Sequence, residues 1–301
     1  MRRVIVLAAA IAVSGVWIVP SWAGTIGATV ADALLTVTGT AEADDVTVGC
    51  AAGDVTVNQA DPSGGPFPCA DLHSIVVHAG DGSDRVDLGE VTRSGFAALL
   101  DVEVFGEDGG DTLIGSWIGD LLDGAGGSDD LRGGDGGDHL VNGAGAGEAV
   151  GGDGKDQLSF QGDSAWDVND DRVQRQTPYE ETTIHSIERI EIVMGPGDNF
   201  VAGPTFSDSL FLHGRGGNDL FDTGTGRDLL DGGGGNDRLE SGPGNDRLLG
   251  GPGDDFLSAE EGNDVLNGGP GGDGCNGGTG SNSFTSCDWT AGIVDPVGHR
   301  A

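Results

Sequence analysis

Aspartate recurs in this chain at a fixed interval of nine residues. Over the C-terminal third, Asp219, Asp228, Asp237, Asp246, Asp255, Asp264 and Asp273 hold one register, and Asn282 takes the next slot. Glycine stands two residues before each, from Gly217 and Gly226 through to Gly280. An apolar side chain stands two residues after each: Phe221, Leu230, Leu239, Leu248, Leu257, Leu266, Cys275 and Phe284. An earlier block repeats the pattern with Asp111, Asp120, Asp129, Asp138 and Asp156, followed by Leu113, Leu122, Leu131, Leu140 and Leu158. Gly147 fills the slot between the last two, so one unit is degenerate, and Ile118 replaces the turn glycine before Asp120.

A short carboxylate beside glycine turns is suited to one kind of chemistry. Glycine takes the positive-φ turns that aim several carbonyls at one point, and Asp folds its carboxylate back onto the same loop. Carboxylate plus carbonyl oxygen is the hard donor set that favours Ca²⁺, whereas zinc or copper would want His or Cys. The apolar slot belongs to a short inward-facing strand that one unit cannot bury alone, so units must stack.

Two alternatives are weighed on composition and phase. Fifty acidic residues, 38 of them Asp, against 14 basic ones give a formal charge of −36, which disfavours nucleic acid and anionic membranes as partners. Such an excess leaves a chain disordered unless cations neutralise it. With Asp at 38 of 301 positions, seven consecutive filled slots in one register would arise by chance at about (1/8)⁷. A disordered Gly/Asp linker does not explain that phase.

The unit Gly133-Gly134-Asp135-Gly136-Gly137-Asp138-His139-Leu140-Val141 fits G-G-x-G-x-D-x-U-x, and the chain resembles the RTX, or haemolysin-type, calcium-binding repeat family over about half its length. The resemblance implies an all-β fold, a right-handed parallel β-roll or β-helix solenoid in which two nonapeptides make one turn and calcium lies between successive turns. Partners would then lie 18 residues apart: Asp219, Asp237, Asp255 and Asp273 on one edge; Asp228, Asp246 and Asp264 on the other; Asp111 with Asp129; and Asp120 with Asp138 and Asp156. The Asp120 and Asn282 units are the weakened members.

The remainder is read around this solenoid. Residues 1–23 form a signal peptide, with Arg2 and Arg3, an apolar Val4 to Val19 core and cleavage after Ala23; the core is shorter than the ~20 residues of a membrane span. Residues 24–79 form an N-terminal β cap, 80–159 the first repeat block, 160–212 a calcium-poor insert, 213–284 the second block and 285–301 a tail that closes the end. Three entry segments, Ile75 to His78, Val102 to Phe105 and Ile190 to Val193, read as wider rungs leading to Asp84, Asp111 and Asp198, with Asp84 and Asp198 as candidate further ligands. Four cysteines permit three pairings and fall into two local pairs, Cys50 with Cys69 and Cys275 with Cys287. In an exported chain disulfides are favoured, each closing a loop for about 3 kcal/mol.

No HExxH or GxSxG motif occurs, and the six histidines show no repeated ligand spacing. The expectation is a non-enzymatic, secreted calcium-binding protein with a scaffold or adhesive surface role and no transmembrane segment once the signal is removed. The alternatives are a secreted hydrolase with a catalytic segment in 24–79 or 160–212, and a polysaccharide- or ice-binding solenoid. Its compartment is the medium, the cell wall or the periplasm.

Overall fold

The computed structural model describes residues 26–162, 165–176 and 179–291. The signal-peptide reading and the last ten residues lie outside them. The described residues are all-β, with no α-helix among them, and divide into two compact units: residues up to 144 together with 152–154, and residues 145–151 together with 155 onward.

In the first unit the chain alternates between two sheets, rung by rung. One sheet begins with the antiparallel pair Gly27–Ala31 and Leu34–Thr38 and continues in parallel through Ser74–His78, Asp101–Phe105, Leu121–Asp123 and His139–Val141. The other begins with the antiparallel pair Asp54–Val57 and Asp45–Ala51 and continues through Arg85–Asp87, Thr112–Ile114 and Asp130–Gly136. Alternation along each strand places one apolar residue inside per three-residue strand and two per five-residue strand. Val37, Val77, Val104, Leu122 and Leu140 stack in register as one seam, and Val46, Val86, Leu113 and Leu131 as the facing one. All nine are essentially inaccessible to solvent.

The second unit repeats this plan. Phe160, Ile192, Leu212, Leu230, Leu248, Leu266 and Phe284 align across seven parallel strands. Val201, Phe221, Leu239, Leu257 and Cys275 align across the opposing set. Each repeat contributes only a three- or four-residue strand, because glycine turns occupy the rest of its nine residues. Within the expected insert the parallel order is interrupted. Ala165–Asn169, Arg172–Gln176 and Tyr179–His185 form an antiparallel meander, where a calcium-poor insert of longer solenoid coils was expected. The turn Asp170-Asp171 reverses the chain before it can cross to the opposite sheet.

Both expected disulfides are formed, Cys50–Cys69 near the start of the first unit and Cys275–Cys287 near the end of the second. No helix among the described residues is long and apolar enough to cross a membrane.

Candidate metal centre

Each repeat Asp sits immediately before its strand, at the point where a glycine turn enters the sheet. All twelve sequence-assigned aspartates, Asp111, Asp120, Asp129, Asp138, Asp156, Asp219, Asp228, Asp237, Asp246, Asp255, Asp264 and Asp273, are at most 4% exposed. The 18-residue spacing is realised atom by atom. Asp237 Oδ1 accepts the Asp219 backbone N–H at 2.8 Å, Asp255 that of Asp237 at 2.8 Å, and Asp273 that of Asp255 at 2.9 Å. The second edge runs likewise from Asp228 through Asp246 and Asp264 to Asn282. In the first unit Asp129 serves Asp111 and Asp138 serves Asp120.

One oxygen is thereby used and the other is left over. Oδ2 of Asp111, Asp129, Asp219, Asp237, Asp246, Asp255, Asp264 and Asp273 is buried with no hydrogen-bond partner. Such an atom is costly unless something cationic meets it. A Cβ placed on Gly250 would lie 2.3 Å from Asp255 Oδ2 and 2.5 Å from the Gly268 carbonyl oxygen, and one on Gly214 2.1 Å from Asp219 Oδ2 and 2.4 Å from the Gly232 oxygen. Glycine there keeps open a space walled by a carboxylate of one rung and a carbonyl of the next. Glycine two residues before the Asp serves close stacking: a Cβ on Gly235 would fall 1.6 Å from the Gly217 oxygen.

Burial pushes seven of the carboxyls well above the usual 3.8, against the opposing pull of their N–H donors. Asp111, Asp129, Asp219, Asp246 and Asp255 rise to about 6, and Asp120 and Asp228 to about 7. Neighbouring column members add repulsion, Asp129 on Asp111 and Asp237 on Asp219 among them. Among the described residues no three His, Cys, Asp or Glu side chains converge as a metal cluster. A cation would therefore be held by single carboxylates supplemented by backbone carbonyls, which is the Ca²⁺ donor set. The residues present fit that ion. Bound there, it would supply charge neutralisation and cross-linking of rungs.

Two positions depart from the column. Ser116 donates its backbone N–H to Asp120 Oδ2 and its hydroxyl to Oδ1 at 2.8 Å, so both oxygens of that carboxylate are engaged by protein, and this is the unit that lacks the turn glycine. Thr223 donates its hydroxyl to Asp228 Oδ2 at 2.7 Å, because threonine replaces the glycine five residues before the Asp.

Further column members emerge. Asp84, buried, accepts the Asp44 N–H at 2.6 Å, and its own N–H goes to Asp111 at 2.8 Å across a rung of 27 residues. Asp198 is exposed, and the buried place is taken by Asn199, whose N–H goes to Asp219 at 2.7 Å. Glu188 receives the Asp156 N–H at 2.7 Å. The signal for all three was an apolar residue two places on, Val86, Val201 and Ile190. An outer ladder runs one position earlier: Asn218 Oδ1 accepts the Asn236 N–H at 2.8 Å, and Asn236 Oδ1 that of Asp254 at 2.8 Å.

Residues 213–248 and 249–284 match the family model of the RTX calcium-binding nonapeptide repeat (4 copies). This segment consists of RTX calcium-binding nonapeptide repeats, and it carries the second unit's two aspartate columns. No curated protein matches the chain.

Proposed function

We propose that the protein is an exported, non-enzymatic scaffold whose solenoid is stabilised by Ca²⁺ and is folded only where calcium is abundant, outside the cytoplasm. The observation that carries this reading is the pair of buried aspartate columns in the second unit, in which Asp219, Asp237, Asp246, Asp255, Asp264 and Asp273 each leave one oxygen unpartnered. Adjacent rungs lie ~4.8 Å apart, and carboxylates at that distance repel by about 3.5 kcal/mol at an effective dielectric of 20. Without cations the columns oppose stacking; with them, stacking and binding become one event. The repeats supply calcium binding, while export rests on the basic, apolar and small-residue order of residues 1–23. The absence of catalysis is inferred from the lack of an HExxH or GxSxG motif, and His78 and His213 lie in partly exposed surface pairs, the first with Glu107 at 3.1 Å and the second between Glu191 and Asp231.

Circular dichroism in EGTA and in millimolar calcium, with equilibrium dialysis alongside, tests the reading. The expected result is a β signal that appears with calcium and saturates with several ions per chain. An unchanged spectrum with no bound calcium would overturn it. A panel of esterase, protease and glycosidase substrates tests the non-catalytic part, turnover being the contrary outcome.

A further inference from the structure

In a chain with 14 basic residues against 50 acidic ones, the placement of unpaired arginines carries information. Several arginines sit beside carboxylates, such as Arg85 with Asp87, Arg132 with Asp130 and Arg175 with Glu180. Among the described residues Arg189, Arg227 and Arg247 form no ion pair, unlike Arg172 and Arg238, and all three line one open groove of about 680 Å³ on the second unit. The Arg189 guanidinium lies 4.4 Å from the centre of the Phe211 ring and reaches the Gln157 side-chain oxygen at 3.2 Å.

The register fixes how these charges are spaced. Phe211 pairs with Leu229 and Leu229 with Arg247, so Phe211 and Arg247 lie two rungs apart on the outer face of one sheet. Arg227 belongs to the rung between them, two residues before Leu229. The groove thus presents guanidinia on three of four successive rungs, Arg189 on the first and Arg227 and Arg247 on the third and fourth, with Ser209 and Phe211 on the second; rungs lie ~4.8 Å apart along the stack. Asn245 and Asn263 continue its floor with neutral hydrogen-bonding groups. The only carboxylates lining it, Asp228 and Asp246, are buried members of the metal column.

We propose that this groove binds an extended acidic polysaccharide, a uronate chain, with one carboxylate on each guanidinium. The planar fork of arginine matches a carboxylate bidentately, and the rise of an extended pyranose chain is of the same order as the rung spacing. Asparagine amides suit the intervening hydroxyls. A nucleic acid is the poorer fit, because its denser charge meets stronger repulsion from a protein of net charge −36. The proposal rests on the calcium reading in one respect: cations on the Asp228 and Asp246 column would remove negative charge from beneath the bound chain.

Full-length protein is titrated, at physiological salt with and without calcium, with a fluorescent oligogalacturonate too short to gel, with neutral maltodextrin and with a single-stranded oligonucleotide; circular dichroism follows the fold in each sample. Saturable binding of the oligogalacturonate over both other probes is expected. The double variant Arg227→Gln/Arg247→Gln should weaken it at least about tenfold, and the Arg247→Lys variant by a smaller factor, with the calcium-dependent spectrum unchanged. Equal binding of maltodextrin, tighter binding of the oligonucleotide, or wild-type affinity in the double variant would overturn the proposal. A normal calcium transition without sugar binding sinks the groove and leaves the calcium reading standing, whereas sugar binding to a chain indifferent to calcium does the reverse.

Discussion

The carboxylate of Asp237 is joined to Asp219 not by charge but by a hydrogen bond, Oδ1 accepting the Asp219 backbone N–H at 2.8 Å. Each aspartate in the column therefore has two separable tasks. One oxygen ties its rung to the rung before it, and the other faces an oxygen-lined space left open by glycine. The first task needs only an acceptor; the second needs an anion.

Asparagine should separate these tasks. Asn282 already does the first, accepting the Asp264 N–H at 2.9 Å. Asp237→Asn is expected to leave the residual β signal of the metal-free chain unchanged or larger, since one of four stacked charges is removed, and to raise the calcium concentration at half-folding roughly tenfold. Asp237→Ala, which leaves the Asp219 N–H unpaired, should lose about 1–3 kcal/mol as well. The β signal remaining in EGTA, urea unfolding in saturating calcium and calcium titration, all followed by circular dichroism, measure these effects. Identical calcium curves for wild type and the Asn variant would refute the assignment.

Stacking distance makes a different demand. Gly251 has φ +106°, and a Cβ there would lie 1.7 Å from the Gly233 oxygen, whereas a Cβ on Gly234 meets nothing nearer than 4.0 Å. Gly251→Ala should cost about 2 kcal/mol or more, and Gly234→Ala should be close to neutral. Equal thermal midpoints for the two variants in calcium would show that the rungs are looser than described.

How far these arrangements could be read from the chain alone depended on the constancy of the period. Where nine residues repeat without interruption, as from Asp219 to Asp273, phase alone placed every buried carboxylate. Asp84 and Asp111 belong to one column but stand 27 residues apart, because the loop containing Phe96 and Leu99 lengthens the rung and packs its own apolar side chains beneath it. Register cannot be carried across such a loop by counting. A different irregular rung, of 20 residues, separates Asn199 from Asp219, and there the chain offers adjacent polar residues of which only burial distinguishes Asn199 from Asp198. The meander around Arg172 left no periodic trace, because antiparallel strands that pair locally need no match with residues a turn away.

The Cys275–Cys287 disulfide closes a 12-residue separation at the last rungs of the second unit, where Cys275 also fills the apolar slot beneath Leu257. Replacing both residues by serine removes a loop constraint of about 3 kcal/mol and puts a hydroxyl into an apolar seam. Unfolding of a linear stack can begin at its ends. The expected outcome is early loss of hydrogen-exchange protection in Trp289–Ala291 and Gly274–Asn276, with strands such as Arg238–Glu240 protected longer. Uniform loss along the unit would show that it melts as one block.

Acid should stabilise the metal-free protein, contrary to the usual acid lability of structures held by ionised carboxylates. Asp84, Asp111, Asp129, Asp219, Asp246 and Asp255 titrate near 6 when folded, and Asp120 and Asp228 near 7, all raised from 3.8 chiefly by burial. A carboxyl whose folded pKa exceeds its unfolded value binds more protons when folded, so its contribution to stability is complete below about 4 and is lost as pH rises through 6 to 7. In EGTA the chain should be largely unfolded near pH 8 and gain β signal and a rising thermal midpoint as pH falls to about 5. Calcium reverses the dependence on the same groups, because protons compete for the oxygens that would hold it, and the calcium concentration needed for folding should rise as pH falls below about 6. Thermal scans across that range, with and without calcium, decide the matter: a metal-free midpoint that falls with acid would mean that these aspartates are not the groups opposing the fold.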